Sequence, residues 1–381
     1  MKKAMRKQVL GFAVMMMSAC FFTACNSDVD EHGTYPVIVN NGLYVVCSGN
    51  TSSGINGSLG YFDYTTEQSY IDIYKTANGS SLGMTVNDAV RYGSKFYIVV
   101  DGEHTVFVTD AATQKLITRI DMTAPTMLGT EGGVSPRRIT ADGGLIYVST
   151  YGGYVAAIDT VAYSLQQKYK TGSYPEGIAI ANGYLYVANS DYGYGNASIS
   201  QINLTTGVEA VIKNENIRNP QTIAVAGTTL YYLDYGQYGP APTYAQEHAG
   251  VYRLYGSDAT CVVPNATGMG AAGYYIYTYN APYGTTTPTY SVYDIQSGKL
   301  TTLQPADIES PAAIEVDPIS GDVAIASYHM TTSEWGTYPD YSGNGYVNIY
   351  DATLTTKKST FDCGVGPTRI VTNLGVRYIE Y

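Results

Sequence analysis

The residues that could carry out chemistry are few and far apart along the chain. Beyond the N-terminal region only three histidines occur, His104, His248 and His329, and none stands at the spacing of a metal-binding or catalytic pair. The sequence contains no Gly-x-Ser-x-Gly elbow, no Walker loop and no dinucleotide-binding fingerprint. We therefore predict a protein that is not an enzyme and that uses no metal and no cofactor.

Carboxylates leave one catalytic alternative open. Glycoside hydrolysis needs a pair of acids, and a pair assembled from distant segments has no signature in a sequence. Asp191, Asp234 and Asp340 are candidates for such a pair. An enzyme that uses Asp191, Asp234 and His329 is therefore kept as an alternative hypothesis.

Tyrosine dominates the aromatic content, since the 381 residues include 39 Tyr, 7 Phe and 1 Trp. With 41 Gly and only 14% charged residues, the composition argues against helical bundles and coiled coils. Tyr has a flat apolar ring and a polar tip, so it suits β-strands and binding surfaces alike. The formal net charge of −11 argues against binding to nucleic acid, which needs clustered basic residues.

The N-terminus is predicted to be an export signal. Residues 1–7 are basic, and the apolar stretch 9–17 is too short to span a bilayer stably. Residues 1–24 therefore read as a secretory signal peptide, and residues 25–36 as an acidic tether.

The end of the signal peptide resembles the bacterial lipobox, in which a small residue precedes a Cys that is lipidated. Cys25 is the expected lipidation site because a complete apolar run precedes it, and Cys20 is the alternative. The segment 26–31 looks like the surface-export signal of Bacteroidetes lipoproteins. That resemblance implies a lipid-anchored protein at the outer membrane, exposed on the cell surface.

Three cysteines follow the predicted tether, Cys47, Cys261 and Cys363. Three thiols cannot all pair within one chain, and their spacing is far from any zinc pattern. We expect them to be buried free thiols on strands.

A motif of an apolar residue, Tyr and usually a β-branched residue recurs every 39–53 residues. Its copies centre on Tyr44, Tyr97, Tyr147, Tyr186, Tyr231 and Tyr277, with a degenerate copy at Ala324. A strand that often ends in an acidic or amide residue follows most copies, as at Asp63, Asp110, Asp159, Asn203, Asp294 and Asp351. A Pro motif precedes most copies, at Pro136, Pro175, Pro220, Pro264, Pro311 and Pro367.

Each repeat therefore supplies four short strands, which is typical of a β-propeller blade. Seven repeats predict an all-β, seven-bladed β-propeller over residues 37–381, with four antiparallel strands per blade. The C-terminal segment is expected to share a blade with the N-terminal strands, and which of the two is innermost stays open.

One face of this propeller is predicted to bind a ligand. Strand alternation brings the Pro motifs and the long loops between second and third strands to the same face, and those loops are rich in Tyr, Gly and Asn. The candidates near the central channel are Arg137, Arg138, Glu176, Gln221 and Arg369. The candidates on or beside the loops are Asn189, Asp191, Tyr192, Tyr194, Asp234, Tyr235, Tyr238, Tyr279, Tyr283, Tyr328, His329 and Trp335.

The repeats resemble those of the YncE-like seven-bladed propellers, and with the lipobox the chain is similar to the propeller surface lipoproteins of Bacteroidetes. One branch of that family, BtuG, captures cobalamin for the outer-membrane transporter BtuB, and Trp335 and the segment 342–347 suit that branch. The resemblance implies a surface lipoprotein that binds cobalamin or a related corrinoid for a TonB-dependent transporter. A glycan-binding lipoprotein and a protein-interaction scaffold are the alternatives.

Overall fold

A computed structural model describes residues 34–193, 195–239, 246–282, 285–334 and 336–380. Its first eleven strands are β1 (Thr34–Cys47), β2 (Ser58–Asp63), β3 (Gln68–Tyr70), β4 (Val86–Tyr92), β5 (Lys95–Val100), β6 (Thr105–Asp110), β7 (Leu116–Asp121), β8 (Pro136–Asp142), β9 (Leu145–Thr150), β10 (Tyr154–Asp159) and β11 (Leu165–Lys170).

The strands that follow are β12 (Pro175–Ala181), β13 (Tyr184–Asn189), β14 (Ser198–Asn203), β15 (Glu209–Ile212), β16 (Pro220–Ala226), β17 (Thr229–Asp234), β18 (Gln237–Tyr238), β19 (Gln246–Glu247), β20 (Gly250–Tyr255), β21 (Asp258–Pro264), β22 (Gly268–Ala272), β23 (Tyr275–Asn280), β24 (Thr289–Asp294), β25 (Lys299–Leu303), β26 (Ser310–Val316), β27 (Val323–Tyr328), β28 (Met330–Ser333), β29 (Gly336–Pro339), β30 (Asn344–Tyr350), β31 (Lys357–Val365) and β32 (Pro367–Glu380). Two short helices, α1 (Ile73–Asn78) and α2 (Gly129–Gly132), and two 3-10 turns, Thr51–Ser53 and Asp191–Gly193, complete the regular elements of the described ranges.

These strands form seven four-stranded antiparallel sheets within the described ranges. Blade 1 is β3-β2-β1-β32, blade 2 is β4 to β7, blade 3 is β8 to β11, blade 4 is β12 to β15, blade 5 is β16-β17-β20-β21, blade 6 is β22 to β25 and blade 7 is β26-β27-β30-β31. The inner strands β32, β4, β8, β12, β16, β22 and β26 contact one another in a closed circle. The predicted all-β propeller is thereby confirmed, and each sheet buries its faces against its neighbours.

The ring is closed by the pairing of β1 with β32. The antiparallel ladder runs from Thr34 opposite Glu380 to Cys47 opposite Pro367, and β2 pairs with the other edge of β1. The C-terminal strand is therefore the innermost strand of blade 1, which answers the question that the sequence left open. Because β1 begins at Thr34, the last three residues of the predicted tether lie in this strand.

Pro264 does not begin a first strand, contrary to the sequence prediction. It ends β21, the outer strand of blade 5, and the first strand of blade 6 is Gly268–Ala272. This inner strand packs closely on blade 7, because a Cβ atom added at Gly270 would lie 2.7 Å from the carbonyl oxygen of Ile314. A small residue is therefore needed at Gly270, and the Pro motif found at the start of the inner strands of blades 1, 3, 4, 5 and 7 is absent.

The acids that end the third strands shape the turns that follow. Asp110 Oδ1 accepts hydrogen bonds from the backbone amides of Ala112 (3.1 Å) and Thr113 (2.8 Å). Such a side-chain cap stabilises a tight turn between the third and fourth strands. The same arrangement recurs at Asp63, Asp159, Asn203 and Asp294.

The recurring Tyr of the second strand connects neighbouring blades. Tyr277 of blade 6 donates to the carbonyl oxygen of Ala352 in blade 7 at 2.8 Å, and Tyr44 of blade 1 donates to that of Ala111 in blade 2 at 3.4 Å. Each acceptor directly follows the acid at the end of a third strand, so the two sequence motifs meet in one contact. Tyr97 is equally buried, but its hydroxyl has no hydrogen-bond partner among the described residues.

None of the helices within the described ranges combines the length and apolar character that crossing a membrane requires.

We predict that Tyr277→Phe lowers the free energy of unfolding by about 1 kcal/mol, because the Ala352 carbonyl loses its partner. Tyr97→Phe is the matched control and should leave stability unchanged or slightly raised, because it removes a buried hydroxyl without a partner. Urea unfolding of both variants measures the difference. Equal losses in the two variants would contradict the assigned role of the Tyr277 hydroxyl.

Candidate ligand-binding face

The Pro motifs place charged side chains at the mouth of the central channel, the space enclosed by the seven inner strands. The pairing register shifts within Pro136–Ile139 of β8 and within Pro175–Ile178 of β12. Such bulges take residues out of the ladder and re-aim their side chains. Arg137, Arg138 and Glu176 occupy these bulges, so the structure brings together three of the predicted residues.

Arg137 is the centre of an ion-pair network that joins three blades. Its guanidinium lies 3.0 Å from Asp101 of blade 2 and 3.1 Å from Glu176 of blade 4. It also packs over the ring of Tyr151, with 4.4 Å between the guanidinium carbon and the ring centroid. The Tyr151 hydroxyl donates to the Glu176 carboxylate. Glu176 is thus held by two neighbours on blade 3.

Burial and charge determine the protonation of this network. Burial lowers the pKa of Arg137, but the neighbouring carboxylates, Glu176 above all, hold it above its ordinary value. Burial, followed by the charge of Glu176, raises the pKa of Tyr151. Near neutral pH the guanidinium is therefore charged, and the Tyr151 hydroxyl keeps its proton and acts as a donor.

Three tyrosines form an aromatic cluster beside this network. The ring centroids of Tyr174 and Tyr192 are 4.2 Å apart, and each lies 5.3 Å from that of Tyr151. Tyr192 is 49% exposed, so the cluster offers an accessible aromatic surface. The sequence prediction missed Tyr151 and Tyr174, although each adjoins a recognised motif: Tyr151 follows the second strand of blade 3, and Tyr174 precedes Pro175.

A second group of predicted residues surrounds Arg138. Its guanidinium donates to the carbonyl oxygen of Asn87 at 2.9 Å. Burial raises the pKa of Tyr235 and of Tyr279, and the charge of Arg138 opposes both shifts. Tyr328 also interacts electrostatically with Tyr279. Residues of blades 3, 5, 6 and 7 therefore lie close enough to interact electrostatically. Of this group, Tyr235 is 40% exposed to solvent.

The remaining predicted channel residues have partners of their own. Arg369 lies 3.6 Å from Asp88 and 3.6 Å from Glu315, in a mixed-charge group on β32, β4 and β26. Burial raises the pKa of Glu315 to about 7, and the charge of Arg369 opposes the shift. Gln221 donates to the Asn219 side chain at 2.6 Å.

Two hairpins extend the same face on either side of blade 6. One is the β18–β19 pair in the loop of blade 5, and the other is the β28–β29 pair in the loop of blade 7. Tyr238 on the first is 62% exposed, and Tyr338 on the second and Tyr341 beside it are also exposed. The hairpins add aromatic surface at two sides of the face, which the length of the loops had indicated.

Asp234 has a structural role in its loop. Its buried carboxylate accepts hydrogen bonds from the backbone amides of Arg218 (2.9 Å), Asn219 (2.9 Å) and Gly236 (2.7 Å). Burial raises the pKa of Asp234 to about 6, against the effect of these donors. The side chain supports the loop that carries Tyr235 and is not open to a ligand in this structure.

Asn189 and Asp191 are likewise buried supports of the loop of blade 4. The Asn189 amide donates to the hydroxyls of Ser198 (3.0 Å) and Ser200 (2.9 Å). The Asp191 carboxylate accepts from the backbone amide of Asn196 at 2.8 Å. Both predicted residues hold the segment that presents Tyr192.

His329 lies away from the channel mouth. Its Nδ1 atom is 2.8 Å from Glu309, and its ring lies tilted against that of Tyr346, with 4.6 Å between the ring centroids. Together they border a cavity of about 380 Å³ on the flank of blade 7, near its outer strand β31. Asp191, Asp234 and His329, named together for the enzyme alternative, thus have separate partners.

Four of the predicted residues lie outside the described residues: Tyr194, Tyr283, Trp335 and the lipidation site Cys25. The predicted signal peptide and most of the tether lie there as well. Across the described ranges, no group of three or more His, Cys, Asp or Glu side chains is arranged to hold a metal ion.

We predict that Arg137→Ala lowers the free energy of unfolding by about 3 kcal/mol, because it leaves the Glu176 and Asp101 carboxylates without their counter-charge. Arg369→Ala is the control, with an expected loss below about 1 kcal/mol, because its ion pairs are long and partly exposed. Equilibrium unfolding in urea measures both variants. Equal losses in the free energy of unfolding of the two variants would contradict the larger contribution assigned to the Arg137 ion pairs.

Glu315 should make stability depend on pH near neutrality. Its pKa in the folded protein, about 7, lies above the ordinary value, so folding favours the protonated form. Glu315 therefore contributes a loss of stability as the pH rises from about 4.5 through 7, and Glu315→Gln lacks that contribution.

Melting temperatures at pH 5 and pH 8 test this dependence, with Glu67→Gln, at an exposed turn, as the control. The advantage of Glu315→Gln over the wild type should grow with pH. A constant difference, or the same trend in the control, would contradict the assignment. Asp88 and Asp317 also raise the pKa of Glu315, so their substitution should weaken the effect.

No protein-family model and no curated protein matches this chain. Solved structures do share its fold. A hydrazine synthase structure from Kuenenia stuttgartiensis has a TM-score of 0.56 and 16% identity over 78% of this chain and 95% of that one. Two structures provisionally named 6-phosphogluconolactonase are also similar. The one from Bacteroides fragilis has a TM-score of 0.55 and 13% identity over 87% and 98% of the two chains. The one from Bacteroides uniformis has a TM-score of 0.57 and 10% identity over 87% and 99%.

The prediction that the protein is not an enzyme is wrong. It was inferred from the motifs and the architecture, and two structures that share this architecture carry an enzyme's name. Local motifs cannot reveal a site that distant blades assemble. At these low identities the likeness shows the fold alone, and it assigns no reaction to this chain.

Proposed function

We propose that this protein binds a small-molecule nutrient on its Tyr-rich face. The observation that carries the proposal is the group of accessible tyrosines around the channel mouth and on the flanking hairpins of one face. Tyr192, Tyr235 and Tyr238 are each at least 40% exposed, whereas the recurring Tyr of the second strand is mostly buried. Exposed aromatic residues that the core does not need favour a binding surface.

The chemistry of this face favours a broad ligand with a polar rim. The Tyr rings can stack on a flat apolar surface, and their hydroxyls can donate to or accept from peripheral amides. Arg138 adds a positive charge near Tyr235 and Tyr279. A corrinoid such as cobalamin, with a flat ring bordered by amides, fits this description and is the ligand we propose.

Capture of a corrinoid needs no protein ligand to the cobalt. Two of the three described histidines already have partners, because His104 accepts a hydrogen bond from the Ser135 amide at 3.2 Å and His329 contacts Glu309. Binding would then rest on stacking and rim contacts.

A glycan is the second candidate, because sugar faces also stack on aromatic rings. The exposed Tyr238 and Tyr338, on two separate hairpins, favour it, since a chain of sugars can contact both. A polysaccharide retardation gel distinguishes the two: slower migration in a glycan gel, without a response to cobalamin, would select the glycan.

The proposed cellular role is delivery of the ligand to a TonB-dependent outer-membrane transporter. It rests on the predicted signal peptide and on lipidation at Cys25, which would hold the protein at the cell surface. A protein-interaction scaffold is the remaining alternative, and capture of the transporter without any small ligand would favour it.

Spectroscopic titration of the purified protein with cobalamin tests the ligand. We expect saturable binding at micromolar ligand or below. Tyr192→Ala and Tyr238→Ala should each weaken it roughly tenfold, because each removes an exposed aromatic contact.

Tyr255→Ala is the matched control. Tyr255 is 80% exposed but ends the third strand of blade 5, on the opposite face. It should leave the affinity unchanged. No binding at micromolar cobalamin would overturn the corrinoid proposal, and equal losses in all three variants would overturn the choice of face. Recovery of the ligand after incubation shows whether it has been chemically altered.

A further inference from the structure

Two cysteines face each other across the junction that closes the ring. Cys47 ends β1 of blade 1, and Cys363 lies in β31, the outer strand of blade 7. Both are buried, at 0% and 1% exposure, in one apolar cluster. The rings of Phe62 and Phe361 stack across the same junction with centroids 4.4 Å apart. The first and last blades are therefore in tight contact at this point.

The two thiols are neighbours within this cluster. Their contact, followed by burial, raises the pKa of Cys363. The backbone is also close, because a Cβ atom added at Gly364 would lie 3.3 Å from the Cys47 sulfur. Cys261 is different, since it is exposed on β21 of blade 5. The expectation of three buried thiols is therefore wrong for Cys261, and two of the three cysteines form a pair.

We propose that Cys47 and Cys363 form a disulfide bond that covalently joins the first and last blades. The bond would connect β1, near the start of the described chain, to β31, near its end. Such a cross-link restricts the unfolded chain strongly, because the loop that it closes spans roughly 300 residues. It would act in parallel with the hydrogen bonds between β1 and β32.

Formation of the bond needs a disulfide oxidant, such as oxidised glutathione. The Cys47 thiolate attacks the oxidant, forms a mixed disulfide and releases one glutathione thiolate. The Cys363 thiolate then attacks the Cys47 sulfur, forms the protein disulfide and releases the second glutathione thiolate. The two protons lost by the cysteines are taken up by the two glutathione products. Since both thiols are buried, exchange requires an open junction and should occur as the ring folds.

The cross-link would also lie beneath the proposed binding face. Burial raises the pKa of Tyr328 to about 12, and the neighbouring Tyr341, Cys47 and Cys363 add to this shift, so both thiols lie close to Tyr328. Tyr328 leads directly into the β28–β29 hairpin. The disulfide would thus fix the base of one hairpin of that face.

Peptide mapping by mass spectrometry tests the bond. The full chain, purified in detergent, is refolded in a glutathione redox buffer, alkylated and digested without reduction. We expect a cross-linked peptide pair containing Cys47 and Cys363, present in Cys261→Ser and absent from Cys47→Ser. Reduction should lower the melting temperature of the wild type and of Cys261→Ser by roughly 5 °C or more and leave Cys47→Ser unchanged.

Alkylation of both Cys47 and Cys363 as free thiols after oxidative refolding would overturn the proposal. So would a dominant cross-link to Cys261. If Cys47→Ser fails to fold, Cys363→Ala supplies the same comparison, because it removes the partner from the other blade. The result is independent of any small-molecule ligand.

Discussion

Closure of the ring is the constraint on which the rest of the structure depends. Each four-stranded sheet has two faces to bury, and only neighbouring blades can cover them. Consecutive segments of the chain connect neighbouring blades all round the ring, whereas blade 1 itself is assembled from both ends by the pairing of β1 with β32. Without that ladder, blades 1 and 7 would expose their packed faces, including the Phe62–Phe361 stack. The closed ring in turn fixes the bulges and loops that build the binding face.

Because the ring is closed, the strands and the loops have different roles: the strands pack the core, and the loops build the binding face. Buried tyrosines such as Tyr277 donate a hydrogen bond from one blade to a turn of the next. These tyrosines belong to the core and do not contribute to the binding face. Residues in the bulges, such as Arg137 and Glu176, lie outside the regular strand pairing, and their side chains form ion pairs that connect three blades. The loops of the same face then carry tyrosines that packing does not require, such as Tyr192 and Tyr238.

Local patterns predicted the fold well because each blade repeats its own signals of strand alternation and turn. The local patterns failed at positions whose structure is determined by contacts with residues distant in the sequence. Pro264 carries the signal of a first strand, yet the space beside blade 7 selects a Gly-rich strand instead. Asp234 was predicted from its loop, but three amide donors occupy its carboxylate, and no sequence pattern shows that pairing. Tyr151 was missed because its partners, Arg137 and Glu176, become neighbours only in the closed ring.

The central claim is that the Tyr-rich face binds a small molecule, and amide hydrogen exchange tests it most directly. Exchange is followed by mass spectrometry with and without saturating cobalamin. Slower exchange is predicted in the loops that carry Tyr192, Tyr235 and Tyr328, with no change in the turns of the opposite face beside Tyr255. Protection confined to the opposite face, or no protection anywhere with cobalamin or a glycan, would contradict the account.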